Sequence, residues 1–140
     1  MSTVYLALGS NLGDRLGFIQ RAVEELKDCG LKGLKLSSVI ETDPVGGMPQ
    51  GKFLNAVLKA STDFLPEELH VITQGVERKL GRVKKSVNGP RVIDIDILLF
   101  NDIKLVTRKL LIPHPRMLER SFVMQPLQEI EPGLCASLKT

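Results

Sequence analysis

Two aspartates in a run of branched apolar residues limit what this chain can fold into. Asp94 and Asp96 are one residue apart within Gly89–Phe100. Such a run favours a buried β-strand, whose side chains alternate between the two faces of a sheet. Both carboxylates therefore point to one face, with their Cα atoms about 6–7 Å apart. Burying two uncompensated carboxylates costs free energy, and Mg²⁺ with substrate phosphates offsets that cost, so the run predicts a metal–phosphate site.

Length and composition predict one globular domain. The chain has 140 residues, of which 43% are apolar and 25% charged. These values are ordinary for a soluble globular protein with a single core, so we predict one domain over residues 1–140. The net charge of +3 is too small to indicate bulk binding of nucleic acid.

The cysteines and the N-terminal sequence indicate the compartment. Cys29 and Cys135 give no disulfide framework, which favours a reducing environment. The first residues show no positively charged segment or cleavage pattern, and their apolar run is too short to span a membrane. We therefore expect a cytoplasmic protein with no membrane partner.

Basic side chains are concentrated directly before the aspartate pair. Within fourteen positions lie Arg78, Lys79, Arg82, Lys84, Lys85 and Arg91. Such a cluster could bind a polyphosphate. A solvated basic loop explains the composition equally well, so charge alone leaves both alternatives open.

Hydrophobic periodicity predicts the element order β-α-β-β-α-β. Apolar runs indicate strands at Val4–Leu8, Leu34–Thr42 and Phe53–Ser61, before the aspartate strand. Two helices are indicated by apolar stripes at helical spacing, at Leu16, Ile19, Val23 and Leu26 and at Leu69, Ile72, Val76 and Leu80. This order predicts an α+β fold, the ferredoxin-like sandwich, in which two helices cover one face of an antiparallel sheet.

The last forty residues decide what covers the other face of that sheet. They predict a strand or hairpin at Ile103–Ile112, a helical turn through Glu119 and a final apolar segment at Val123–Ile130. The second face is then either open or covered by this tail. On the second helix, the predicted polar face carries His70, Thr73, Gln74 and Glu77.

Five segments together carry a resemblance to one enzyme family. They are Leu8–Gly13, Phe53–Val57, Gly81–Val83, Gly89–Leu98 and Ile112–Val123. In order and spacing they resemble the 6-hydroxymethyl-7,8-dihydropterin pyrophosphokinases of folate biosynthesis. The resemblance covers nearly the whole chain, and the ordered set is specific, whereas an isolated Asp-x-Asp occurs by chance in many proteins.

The resemblance implies a reaction and its metal. Enzymes of this family move the β,γ-diphosphate of ATP onto the hydroxymethyl oxygen of the pterin and release AMP. Asp94 and Asp96 match the aspartates that hold two Mg²⁺ ions against the triphosphate. Arg82 and Arg91 match the catalytic arginines, whose planar forks bond phosphate oxygens bidentately. Phosphoryl-type transfer depends mainly on positioning and charge neutralisation, which such groups supply.

The same resemblance implies contacts for both substrates. Besides Arg82 and Arg91, ATP is expected to contact Gln74, Glu77, Ile97, Lys109, His114 and Arg120. The pterin is expected to lie against Thr42, Val45, Gly46, Phe53, Asn55 and Phe122. The two phenylalanine rings would stack on the heterocycle, and the asparagine amide would bond its edge.

Each of these residues also has an ordinary structural explanation. Arginines beside a loop often form ion pairs, polar residues on a helix are usually solvated, and phenylalanine is most often packed in a core. The Gly9–Gly13 turn lacks the Lys and Ser/Thr of a Walker A loop and is interpreted as a strand-to-helix connection that could lend Asn11 to the site. Departures from the family pattern occur at Asn88, Leu111 and Pro115.

Two other functions remain open on the sequence alone. A pI near 9.0 and an open sheet face would suit a ferredoxin-like RNA-binding module, although aromatic residues make up only 4% of the chain and no RNP-type stripe is present. The chain could instead bind a pterin or nucleotide without catalysis, but its paired aspartates and arginines argue against that. For the enzyme we expect a monomer that binds ATP and the pterin and no nucleic acid.

Overall fold

The computed structural model describes residues 1–43, 51–81 and 91–138 of the chain. The strands in these ranges are β1 (Ser2–Ser10), β2 (Lys32–Leu36), β3 (Ile40–Thr42), β4 (Phe53–Thr62), β5 (Asp94–Phe100), β6 (Leu105–Val106) and β7 (Leu111–Ile112). The helices are α1 (Arg15–Asp28), α2 (Pro66–Lys79), α3 (Ser121–Ile130) and α4 (Pro132–Leu138), with a 3₁₀ turn at Met117–Glu119. The predicted α+β class, the two stripe-bearing helices and the hairpin are confirmed.

The main sheet is antiparallel and has β1 near its centre. Its order is β2-β4-β1-β5, and β3 pairs with the other end of β4. Helices α1 and α2 pack on one face, around a core that includes Leu6, Ile19, Leu58 and Leu69. Near the end of β1, Gly9 pairs with a residue of β4 on one side and a residue of β5 on the other. Three strands therefore bring their residues together at one end of the sheet.

Local sequence signals mark both ends of α1. The Asp14 carboxylate accepts a hydrogen bond from the Gly17 N–H at 3.1 Å, which satisfies one of the unpaired donors of the first turn. Gly30, with a φ of 114°, lies beyond the cap residue Cys29 and turns the chain into β2. The helix thereby presents Ile19, Ala22 and Leu26 to the core.

The single strand predicted over Leu34–Thr42 is wrong, because the chain forms β2 and β3 with a break between them. At the break, the Ser37 N–H donates to the Val57 carbonyl at 2.9 Å. The Ser37 hydroxyl oxygen accepts from the Val57 N–H at 2.8 Å, in place of a main-chain carbonyl. A serine side chain can compete in this way with the ladder of a strand.

The tail of the chain covers much of the second sheet face. Helix α3 packs against β4 and buries Val123 and Leu127 beside Tyr5 and Val57 of the sheet. Of the two sequence alternatives, the covered face is the one observed. Among the residues described, no helix is both long and apolar enough to cross a bilayer.

A partly buried ionic contact fixes the end of α3 to the sheet. Glu131 accepts hydrogen bonds from the Tyr5 hydroxyl at 3.0 Å and from the Lys59 ammonium group. Those bonds, first the one from Lys59, hold the pKa of the Glu131 carboxyl below its usual value. Burial and the carboxylate beside it raise the pKa of Tyr5 to about 12. The contact thus links α3 to both β1 and β4.

A β-bulge in β5 sets which residues face α3. Tyr5 pairs with Leu99 and Leu6 pairs with Ile97, so Leu98 is the extra residue. Both Leu98 and Leu99 consequently join the cluster under α3. The Leu98 carbonyl accepts from the His114 N–H at 2.9 Å, which attaches the segment after β7 to the aspartate strand.

Candidate active site

A cleft lies at the end of the sheet where β1, β4 and β5 meet the start of α3. Many of the predicted functional residues line it. They are Thr42, Phe53, Asn55, Arg91, Asp94, Asp96, His114, Arg120 and Phe122. These residues come from several stretches of the chain that are far apart in sequence, and the fold brings them together.

The aspartate pair lies on the floor of the cleft. Asp94 is opposite Gly9 on β1, and Asp96 is opposite Ala7, so only small residues face the carboxylates across the ladder. Both line the same cleft, as alternate positions on one strand predict. The Asp94 carboxylate is compensated by a cation of the protein, because its Oδ2 lies 3.1 Å from Arg91 Nη1.

The donor set of the cleft fits a hard cation shared with a ligand. Carboxylate oxygens are the ligands that Mg²⁺ prefers, and one or two of them suffice where phosphates complete the coordination. Within the described ranges, no group of three His, Cys, Asp or Glu side chains could hold a metal ion by itself. A cation at Asp94 and Asp96 would therefore take its other ligands from substrate or water.

Arg91 is held at the cleft through its main chain. The Arg91 N–H donates to Asn11 Oδ1 at 2.7 Å, and the Asn11 N–H donates to the Arg91 carbonyl at 3.0 Å. The Asn11 amide also donates to the Gly51 carbonyl at 3.2 Å. Asn11 therefore joins Arg91 to Gly51. The sequence suggested that Asn11 could contribute to the site. Its side chain bonds main-chain groups of Gly51 and Arg91.

Aromatic and amide side chains also line the cleft, and Phe53, Asn55 and Phe122 are together called the aromatic–amide wall. Asn55 is buried and donates from Nδ2 to Thr42 Oγ1 at 2.6 Å. A Cβ atom at Gly9 would lie 3.1 Å from Asn55 Oδ1 and 3.6 Å from the Phe53 ring, so a side chain at Gly9 would crowd this wall. Phe122 lines the same cleft from α3. The wall offers flat apolar surface with an amide at its edge.

His114 and Arg120 provide the polar end of the cleft. His114 Nδ1 accepts from the Arg116 N–H at 3.3 Å, while its own main-chain N–H is bonded to β5. The Arg120 guanidinium lies over the Phe122 ring, with 5.5 Å from Cζ to the ring centroid. Burial, and then the positive charge of Arg120, lower the pKa of His114, and the Asp94 carboxylate opposes this only in part. His114 is therefore neutral near pH 7, with Nε2 able to donate.

We expect the C2 proton of His114 to titrate below the ordinary histidine value of about 6.5. Because the folded pKa is lowered, the neutral form stabilises the fold above about pH 6.5, and this contribution is lost as the pH falls through the folded pKa. A proton NMR titration measures the midpoint, and the signal that disappears in His114→Gln assigns it. A midpoint at or above the ordinary value would contradict the burial described here.

Four predicted ATP contacts lie outside the cleft lining. Gln74 is exposed on α2, and Lys109 is exposed in the turn between β6 and β7. Ile97 packs in the core under α1 and α2, so only its main chain could meet a nucleotide. Glu77 is buried, and Glu77 Oε2 accepts from the Ile95 N–H at 2.8 Å. The prediction of an exposed polar face is therefore wrong for Glu77, and also for Thr73, which is 1% exposed.

Several predicted residues fall outside the described part of the chain. They are Arg82, Val45, Gly46 and the family departure Asn88. The other two departures, Leu111 and Pro115, are both exposed.

Comparison with known proteins identifies the family of the chain. The profile of the family described as 7,8-dihydro-6-hydroxymethylpterin-pyrophosphokinase (HPPK) matches residues 5–132. Similar curated proteins bear the name 2-amino-4-hydroxy-6-hydroxymethyldihydropteridine pyrophosphokinase. The Aquifex aeolicus protein is 48% identical over 96% of this chain and 83% of its own length. The Bacillus subtilis protein is 47% identical over 90% and 76%, respectively. A Porphyromonas gingivalis protein is 44% identical over 96% and 94%. The chain belongs to the 7,8-dihydro-6-hydroxymethylpterin-pyrophosphokinase family.

Proposed function

We propose that the protein transfers the β,γ-diphosphate of ATP to the hydroxymethyl oxygen of 6-hydroxymethyl-7,8-dihydropterin and releases AMP, a step of folate biosynthesis. The observation that carries the proposal is one cleft lined in part by paired carboxylates and cationic side chains and in part by an aromatic–amide wall. A polyphosphate with its metal suits the first part, and a flat heterocycle with a polar edge suits the second. The curated relatives are named for this activity.

The pterin is proposed to occupy the wall formed by Phe53, Asn55 and Phe122. Stacking between aromatic faces binds a planar ring, and an amide supplies a donor and an acceptor for its edge. The bond from Asn55 to Thr42 fixes the orientation of that amide before any ligand arrives. Pre-organisation of this kind reduces the entropy that binding must overcome.

Asp94 and Asp96 are proposed to hold Mg²⁺, with two ions expected when ATP is present. Bound Mg²⁺ would neutralise phosphate charge and polarise the attacking hydroxyl group. The side chains of the protein add to this. Arg91 and Arg120 bring guanidinium groups to the cleft, and neutral His114 can donate one hydrogen bond to a phosphate oxygen. Their role is to orient the transferring group in line with the acceptor oxygen.

The remaining ATP and pterin contacts stay predictions from the resemblance. For ATP these are Gln74, Glu77, Arg82, Ile97 and Lys109, and for the pterin they are Val45 and Gly46. We also propose that the sheet is the ferredoxin-like arrangement, since the order β2-β4-β1-β5 with two helices on one face supports it. A single domain, a monomeric state and a cytoplasmic location likewise remain predictions.

An RNA-binding module has little support from the fold. That alternative depended on an open sheet face, and α3 covers much of the face that lies away from α1 and α2. A protein that binds both ligands without catalysis differs from the proposed enzyme only in product formation, so an assay decides between them.

A coupled assay for AMP tests the proposal. Purified protein with MgATP and 6-hydroxymethyl-7,8-dihydropterin should release AMP and form the pterin diphosphate in equal amounts. Omission of the pterin or of Mg²⁺ should stop the reaction. Binding of both ligands with no AMP would show that the transfer proposed here is wrong.

A further inference from the structure

The strand that carries the aspartate pair lies at an edge of the described sheet. Among the described strands, β5 pairs only with β1 in the main sheet. In an antiparallel pair, the N–H and C=O groups of alternate residues point away from the partner strand. Those groups are bonded by water or by other parts of the protein, and a bond from the protein fixes the edge in place. The geometry of Asp94 and Asp96 therefore depends on what holds this edge.

Two contacts hold the edge, one between the two aspartates and one after them. His114 bonds the Leu98 carbonyl after the aspartates, as described above. Glu77 from α2 bonds the N–H of Ile95, which is the residue between the aspartates. The Ile95 N–H and the Asp94 carbonyl belong to the same peptide group. The bond therefore fixes the orientation of the peptide plane that follows Asp94.

Glu77 does not line the cleft, but it bonds β5, the strand that carries the two aspartates. It is 7% exposed, packed between α2 and β5, whereas both aspartates line the cleft. A carboxylate is a stronger acceptor for a main-chain N–H than a neutral oxygen. Mg²⁺ demands near-ideal octahedral geometry, so small rotations of a carboxylate weaken its binding.

We infer that Glu77 is a positioning residue for the Asp94–Asp96 pair: its bond to the Ile95 N–H holds the two carboxylates in the arrangement that takes a Mg²⁺–polyphosphate. This inference rests on the proposed function, since the ligand is the one proposed there. The alternative is the direct contact between Glu77 and the nucleotide that the resemblance implies.

Matched substitutions distinguish a positioning role of Glu77 from direct contact with the nucleotide. Glu77→Met removes the acceptor with little change of length, whereas Glu77→Gln keeps a side-chain carbonyl that can accept the bond. Thr73→Val is the control, because Thr73 is also buried on α2 and its hydroxyl bonds the His70 carbonyl of the same helix at 2.9 Å. If Glu77→Met does not fold, Glu77→Asp replaces it, since the shorter side chain withdraws the acceptor but keeps the charge.

The first measurement is amide hydrogen exchange of Ile95 in protein without nucleotide. Exchange should be about tenfold or more faster in Glu77→Met and close to wild type in Glu77→Gln and Thr73→Val. The second measurement is the affinity for Mn²⁺, monitored by electron paramagnetic resonance. It is made in the presence of an ATP analogue that has a methylene group between the α- and β-phosphates. Loss of a residue that orients metal ligands typically weakens metal binding about 10–100-fold, and we expect Glu77→Met to fall in that range.

Several outcomes would overturn the inference. One is unchanged Ile95 exchange in Glu77→Met. Another is unchanged Mn²⁺ affinity together with weaker binding of the analogue at saturating Mn²⁺, which would indicate direct contact with the nucleotide. Failure of the proposed function is distinguishable, because it would show as no AMP from the wild-type protein, whatever the Glu77 variants do.

Discussion

Replacing Asp96 by asparagine is expected to abolish AMP release while the fold remains intact. The substitution keeps the size of the side chain but removes one of the two carboxylates proposed to bind Mg²⁺ in the cleft. A lost electrostatic contact of this kind typically lowers kcat by about 10²–10³, and a metal ligand should reach the upper end of that range. Coupled AMP assays at saturating MgATP measure the loss.

The substitution Asp96→Asn should not lower the stability of the fold. Asparagine keeps the size of the side chain and an acceptor oxygen, so urea unfolding should give a midpoint close to that of the wild type. Asp102→Asn is the matched control, because Asp102 is an exposed aspartate shortly after the same strand. Activity of Asp96→Asn within tenfold of the control would remove Asp96 from the proposed metal site.

The sequence was sufficient for those parts of the site that depend on local periodicity. Alternation along a strand placed Asp94 and Asp96 on one face, and the same rule placed Phe53 and Asn55 together on β4. These predictions depend only on neighbours two residues away. They hold wherever the strand itself forms.

Periodicity failed where a polar side chain bonds a main-chain group far away in sequence. Glu77 has the spacing of an exposed helix position, but it is buried because Ile95 presents an N–H at the edge of β5. Ser37 breaks a strand through its bond to Val57, and Asn11 holds the main chain of Arg91 across eighty positions. A helical or strand pattern carries no information about such partners, which are defined only when the elements pack.

Arg91→Ala should lower kcat by about 10²–10³ with a smaller effect on the KM for either substrate, because a guanidinium that meets the transferring group acts mainly in the transition state. Arg91→Lys should recover only part of the loss, since lysine keeps the charge but lacks the planar fork. Asn11 holds the Arg91 backbone, so neither substitution should release this segment.

Arg21→Ala is the control, because Arg21 lies on α1 over the Phe18 ring, at 4.5 Å from its centroid. Steady-state AMP assays separate kcat from KM. Full activity in Arg91→Lys would show that charge alone suffices. Full activity in Arg91→Ala would reduce Arg91 to the partner of Asp94 seen in this structure.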